Sequence, residues 1–290
     1  MLFHVKICGV TTPDDAAAVA AAGADAIGLN FVAGSPRALG IEQARAVSAA
    51  VPAGVLKVGV FAGASAAEIR RIVTAVGLDA VQLHGHLAGD GPGVDPPERC
   101  AELVGLTVIR AVRMESPGQA GRLSHGARAV RPSEVPTSPT VGQASRLSEV
   151  PTSPTVGQAS RLSESPPTPP EDPLAAARAW LAAASALGSP PTMVIVDAPV
   201  TRGTAAGQLG GTGATVDWAA LAAAQPLGLP TALAGGLAPD TVAHAISVSK
   251  AAAVDAASGV ESAPGRKDPA KVRAFVAAAR TAIGATAKPR

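Results

Sequence analysis

Eight short apolar runs, separated by alanine-rich helical stretches, constrain this chain more than any other feature. They lie at Phe3–Ile7, Ala26–Asn30, Leu56–Phe61, Ala80–Leu83, Val108–Val112, Met193–Val196, Thr231–Leu233 and Ala252–Asp255. Strand-sized runs alternating with helix-sized stretches specify parallel strands joined by crossover helices. Eight such units predict a closed (β/α)8 TIM barrel, a single α/β domain over residues 1–290. An open doubly wound sheet ranks second, because it usually has fewer units and one dominant nucleotide loop. Helix starts are marked where Thr12-Pro13, Asp172-Pro173 and Asp268-Pro269 place a cap residue before proline at the first helical position. Ser65 with Glu68 predicts a capping box, and Asp217 a cap for the helix opening at Trp218.

One segment breaks the alternation. Ser133–Leu147 reads SEVPTSPTVGQASRL, and Ser148–Leu162 repeats it without a change. From residue 115 to residue 171 the chain is rich in Pro, Ser and Thr and poor in large apolar residues. Such a stretch cannot offset its ordering entropy by burial, so a disordered low-complexity insert is expected in the loop after the fifth strand. Its period is too short for solenoid units, which run about 20–50 residues. Duplication of coding DNA accounts for the identical copies, with a docking or regulatory loop as the alternative.

The totals exclude several function classes. Hydrophobic residues make up 47% of the chain, enough for a full core, but aromatics are only 2% and tyrosine is absent. A single-stranded nucleic-acid binder needs aromatic platforms on which bases stack, and four Phe with two Trp in 290 residues weaken that case. The net charge is +2 with both signs mixed along the chain, so no basic stripe calls for nucleic acid. No apolar run of about 18 residues marks a membrane span, and no signal peptide opens the chain. Cytoplasmic localisation follows as the expectation, with Cys8 and Cys100 as free thiols and Cys100 serving only to pack.

A barrel of this class carries its chemistry at the C-terminal ends of its strands. Polar and glycine residues gather there: Cys8, Asn30 with Arg37 in the next loop, Gln82 and His84, Arg113, Asp197, Gly235 and Gly236, and Asp255 with Ser258 and Gly259. Three glycine clusters, Gly211-Thr212-Gly213, Gly235-Gly236 and Ser258-Gly259, fall on loops after the sixth, seventh and eighth strands. Glycine lets backbone N–H groups converge on an anion, so these loops predict a phosphate grip. Cys8 and Asp197 pair a potential base with a potential acid across the barrel mouth, although each residue type is as often structural at such a position. A free thiol is only a few per cent thiolate at pH 7, so Cys8 needs local help. Lys6 shares its facing only if the strand runs regularly through Cys8. Arg37, stiffened by Pro36, is suited to bidentate capture of a carboxylate, with a solvated loop arginine as the alternative. His84 and His86 lack a third ligand at a matching spacing, so no metal is expected.

These residues stand in segments that resemble the phosphoribosylanthranilate isomerase family of tryptophan biosynthesis. The segments are Lys6-Ile7-Cys8-Gly9, Gly23–Gly28 with Ser35-Pro36-Arg37, and Val81–Gly85. Gly210–Gly213 with Asp217-Trp218, Leu233–Leu237, and Ser258–Glu261 ahead of Gly265–Asp268 complete the set, in the family's order. The resemblance implies an Amadori rearrangement without cofactors, an aldose–ketose isomerisation of a phosphosugar by a monomer or homodimer. It implies Cys8 as general base at the sugar C2, Asp197 as general acid at the furanose ring oxygen, and Arg37 on the anthranilate carboxylate. Gln82, His84 and Asp255 would touch substrate, and Gly211, Thr212, Gly213, Gly235, Gly236, Ser258 and Gly259 its phosphate. Ala257 departs from the family, which commonly has a second serine there, and the insert departs further. A histidine-pathway isomerase would typically carry Asp in place of Cys8, and an indole-forming synthase needs lysine chemistry at strand ends. The rival from another class is a non-catalytic phosphosugar-binding barrel that displays the repeat to a partner.

Overall fold

The strands are mostly apolar and buried on both faces, as a parallel sheet needs when helices cover its outside and its own side chains fill its inside. A computed structural model describes residues 1–87, 93–114, 172–198 and 216–286. Its eight parallel strands are β1 (Val5–Cys8), β2 (Ala26–Asn30), β3 (Leu56–Phe61), β4 (Ala80–Leu83), β5 (Val108–Arg113), β6 (Met193–Asp197), β7 (Thr231–Leu233) and β8 (Val254–Ala256). They hydrogen-bond in sequence order, and β1 pairs with β8 to close the ring. The (β/α)8 barrel expected from the alternation is the fold.

Eight helices follow the strands in turn: α1 (Pro13–Ala21), α2 (Ile41–Ala49), α3 (Ala66–Val76), α4 (Glu98–Glu102), α5 (Ala175–Ala186), α6 (Trp218–Ala223), α7 (Val242–Ser249) and α8 (Pro269–Thr286). Thr12 caps α1 by accepting from Asp15 N, and Asp217 caps α6 by accepting from Ala220 N. Asp268 accepts from Ala270 N and Lys271 N at the start of α8. Ser65 accepts from Glu68 N, which is one half of the expected capping box. The Asp172-Pro173 expectation needs correcting, because α5 starts only at Ala175 and Asp172 instead accepts from Leu174 N in the turn before it.

Period-two alternation divides the strands cleanly. Ala26, Val58, Ala80, Ile109, Ala111, Met193, Ile195, Ala232 and Ala253 pack together inside the barrel, with Phe3 among them. Val5, Ile7, Ile27, Leu29, Phe61, Val81, Leu83, Val194 and Val196 face outward and pack with the helices. Phe3 therefore plugs the barrel floor rather than opening β1, which starts at Val5, and β8 runs Val254–Ala256 rather than Ala252–Asp255. Regular strand geometry does extend through Cys8, so Lys6 and Cys8 share the inner face.

β5 ends at Arg113 and the next helix among the described residues is α5; the segment 115–171 between them, with the repeat, lies outside the described residues. The sequence also failed to announce a small antiparallel hairpin after β8, formed by β9 (Glu261–Ala263) and β10 (Arg266–Lys267). Among the described residues no helix is long and apolar enough to cross a membrane.

Candidate active site

The inner-face phase that buries alanine and isoleucine lower in the barrel brings polar side chains inward at the top. On β4 the series Ala80, Gln82 continues to His84; on β6 Met193, Ile195 continues to Asp197; on β8 Ala253 continues to Asp255. Cys8, Asn30, Gln82, His84, Asp197 and Asp255 line one pocket at the C-terminal ends of the strands. Arg37 closes one side of it, and Gly235, Gly236, Ser258 and Gly259 line it as well. Of the residues expected at the site, Gly211, Thr212 and Gly213 lie outside the described residues. Every other one is in this pocket except Arg113 at the end of β5, which lies outside its lining but acts on Asp197 electrostatically.

Cys8 ends β1 beside Gly28 of β2. A Cβ built on Gly28 would stand 2.6 Å from Cys8 Sγ, so glycine there makes room for the sulphur. Both cysteines are free. Burial pushes the Cys8 thiol up, while the ammonium groups of Lys6 and Lys267 pull it down. Lys6 is completely buried and donates to Asp255 Oδ2 at 2.8 Å. Burial works against its charge, but Asp255 and then Cys8 outweigh this and raise its pKa. The other oxygen of Asp255, Oδ1, has no partner among the described residues. Cys100, by contrast, is buried in α4, and its thiol is pushed up to about 11, chiefly by burial.

Asp197 ends β6. Its Oδ1 accepts from Ala198 N at 2.8 Å, and its Oδ2 lies 3.4 Å from His84 Nε2. Gln82 Nε2 is 3.0 Å from His84 Nδ1. With the amide donating, the ring proton sits on Nε2 and faces Asp197. Burial opposes a charged Asp197, yet His84, the Ala198 N–H and Arg113 together hold its carboxyl below the usual range. The resting pocket thus favours a thiol and a carboxylate.

Arg37 is neither solvated nor unoccupied. It is 9% exposed, and its Nε and Nη2 hold Glu261 at 2.8 and 2.7 Å. The bidentate carboxylate geometry expected of it is present, but the carboxylate is the protein's own. Glu261 also accepts from Lys267 Nζ at 2.8 Å. Burial opposes the charge on Glu261, and Arg37 with Lys267 overrides it, lowering its pKa. Sequence reasoning assigned no role to Glu261 or Lys267. The Pro264-Gly265 pair between two short runs is a turn signal that could have revealed the hairpin carrying them.

At the other end, Ser258 and Gly259 form a 3-10 turn directly after β8, and Gly235 and Gly236 follow β7 with positive φ. Ala257 lines the pocket between them, its carbonyl accepting from Lys267 Nζ. Among the described residues no three His, Cys, Asp or Glu side chains stand close enough to hold a metal ion. The arrangement offers a proton acceptor and a proton donor in one pocket. A guanidinium bounds it on one side and glycine-rich turns on another.

Known proteins share this design. The N-(5'-phosphoribosyl)anthranilate (PRA) isomerase family matches residues 5–93 and 182–278. The N-(5'-phosphoribosyl)anthranilate isomerase of Pseudomonas aeruginosa is 35% identical over 279 residues, covering 96% of this chain and 95% of that protein. The phosphoribosyl anthranilate isomerase of Thermotoga maritima has a solved structure that matches with a TM-score of 0.65 at 26% identity, over 96% of this chain and 99% of its own. Another, in complex with reduced 1-(o-carboxyphenylamino)-1-deoxyribulose 5-phosphate, matches with a TM-score of 0.63 at 25% identity over the same shares. With its barrel and the pocket at its mouth already in place, the chain belongs to the N-(5'-phosphoribosyl)anthranilate isomerase family.

Proposed function

We propose that this protein isomerises N-(5'-phosphoribosyl)anthranilate to 1-(2-carboxyphenylamino)-1-deoxyribulose 5-phosphate, with Cys8 as general base and Asp197 as general acid. The observation that carries the assignment is that Cys8 and Asp197 line one pocket bounded by both Arg37 and the glycine-rich turns after β7 and β8. A substrate with a carboxylate at one end and a phosphate at the other matches that polarity. A relative of this fold binds a reduced form of such a product.

The reaction needs two proton movements. Asp197 protonates the furanose ring oxygen as the C1–O bond breaks and the nitrogen lone pair forms a C=N bond. Cys8 then takes the C2 proton, and the electron pair of that C–H bond yields an enolamine that tautomerises to the aminoketose. The reactive form has a thiolate at Cys8 and a protonated Asp197, whereas the resting shifts favour the reverse. The two forms have the same net charge and differ only in which group holds the proton, so a bell-shaped pH profile reports the pair and not either group alone. Lys6 and Lys267 supply the help that a thiol base requires. Gln82, His84 and Asp255 contact the sugar in this reading, and Gly235, Gly236, Ser258 and Gly259 take the phosphate with Gly211, Thr212 and Gly213. The protein acts as a single barrel, monomeric or as a homodimer, with residues 115–171 as an insert.

Freshly generated phosphoribosylanthranilate and a fluorescence readout test the assignment on purified wild type and Cys8→Ala. Turnover by wild type is expected, with a loss on the order of 10²–10⁴ in kcat for the variant. A folded wild type that gives no turnover overturns the enzymatic reading and favours a phosphosugar-binding barrel.

A further inference from the structure

We propose that Glu261 is a positioning residue for Arg37: it occupies one edge of the guanidinium so that the other edge presents a fixed, carboxylate-selective donor pair to the substrate. This rests on the reading of Arg37 as the group that takes the substrate carboxylate. It identifies what gives that group its geometry.

A guanidinium has five N–H donors and can engage carboxylates along more than one edge. Glu261 takes the edge made by Nε and Nη2. The remaining end, Nη1 with the second hydrogen of Nη2, is left over. Nη1 makes no hydrogen bond among the described residues, and it belongs to a side chain that is 11% exposed and lines the pocket. A flexible arginine aimed into a pocket would forfeit entropy on each binding event, and a guanidinium already clamped does not.

The clamp is itself anchored at several points. Lys267 Nζ donates to Glu261 Oε1 and to the Ala257 carbonyl, and Lys271 Nζ donates to the Glu261 carbonyl at 2.8 Å. Lys267 N donates to Asp15 Oδ2, and Thr11 donates through its hydroxyl to the Gly265 carbonyl, fixing the hairpin to the loop after β1. From the opposite side, the methylenes of Arg37 lie so close over Gly9 that a Cβ there would collide with Cδ. Gly9 also has φ 73°, which favours glycine in its own right.

Charge agrees with geometry. Arg37 and Lys267 carry two positive charges and Glu261 one negative, so the cluster is one anion short of neutral. A single substrate carboxylate completes it.

The test compares wild type, Glu261→Gln, Glu261→Asp and Arg37→Met. Each is assayed for kcat and KM, and for inhibition by the reduced product analogue and by its counterpart lacking the ring carboxylate. Wild type should favour the carboxylated inhibitor by roughly tenfold or more, and Arg37→Met should abolish that preference; failure of either overturns the carboxylate role of Arg37 itself. Given that role, Glu261→Gln should raise KM and the carboxylated inhibitor's Ki on the order of tenfold. Its kcat should stay within about threefold of wild type, and the other inhibitor should bind unchanged. Glu261→Asp keeps the charge but not the reach, and should lose selectivity in the same direction even if the glutamine variant does not fold. A fall in KM would show that Glu261 competes with substrate for Arg37. Equal weakening of both inhibitors would show that it only supports the hairpin. Either result overturns the proposal.

Discussion

Lys6 Nζ lies 2.8 Å from Asp255 Oδ2, so a buried ion pair bridges the first and last strands of the barrel one layer below the Cys8 thiol. Removing one member of a buried pair leaves the other uncompensated, at a cost of about 3–5 kcal/mol. Lys6→Met is therefore expected to lower stability by that order. It should also move the rise of kcat/KM to higher pH, since the thiol loses a cation that pulls its pKa down. Adding Asp255→Leu should recover stability without recovering activity. Denaturant titrations and pH–rate profiles check this, and an unshifted profile in folded Lys6→Met would confine Lys6 to a structural role.

Gly28 sets the space around the same sulphur. Gly28→Ala puts a methyl 2.6 Å from Cys8 Sγ and 3.0 Å from its Cα, so the thiol has to turn or β1 has to shift. Overpacking of this kind costs about 1–3 kcal/mol. The expected result is a folded protein whose kcat falls by roughly 10–100-fold, because a misplaced base loses its alignment with the C2 proton. Wild-type kcat in that variant would show that the thiol position does not matter.

Asp25 works at the opposite end of the barrel. Its carboxylate accepts from His4 N and Val5 N and pairs with Arg280 of α8, tying both ends of the fold to the start of β2. Partial burial opposes its charge, but these donors prevail and lower its pKa. A depressed carboxyl contributes stability that is fully present above its unfolded value, about 3.9, and is lost as pH falls through the folded value. Asp25→Asn should cost roughly 1–2 kcal/mol at pH 7, and the gap from wild type should close as pH falls below about 4. KM should not change. A gap independent of pH would mean that shape, not charge, is what Asp25 provides.

Excision of residues 116–170 is the fourth prediction. β5 and β6 pair over five residues, from Ile109 with Met193 to Arg113 with Asp197, so their register is defined by strand contacts and not by the connection. A short linker joining β5 to α5 should leave kcat/KM within about threefold of wild type and Tm within a few degrees. Loss of folding or of activity on deletion would show that the segment contributes to the barrel.

The sequence made the ring legible because each strand is a short apolar run bounded by turn residues, and β2, β3, β4 and β7 fall where those runs lie. Ends were less certain. Phe3 reads as strand by composition but fills the barrel floor, and α5 begins a turn after its proline because Asp172 caps a turn first. At the site, residues that lie at strand ends were visible from the fold rule alone. Lys6 was visible only as a neighbour, since pairing with Asp255 spans 249 residues. Glu261 was hidden for the same reason: its partner Arg37 is 224 residues away, and a glutamate in a hairpin reads as solvated until the third dimension supplies the arginine.

The packing of Arg110 against Trp180 has a spectroscopic consequence. Arg110 is fully buried, with its guanidinium carbon 4.8 Å from the Trp180 ring centroid, and burial lowers its pKa to about 10. The indole N–H donates to the Asp95 carbonyl at 2.9 Å. The chain contains no tyrosine and only one other tryptophan, Trp218, which opens α6 edge-on to His244. Intrinsic emission therefore comes from two fixed points, one locked inside the wall between β5 and α5, the other at the start of α6. A Trp180→Phe protein keeps a single emitter, the indole of Trp218 edge-on to His244, and its emission spectrum becomes an optical record of how α6 sits against α7.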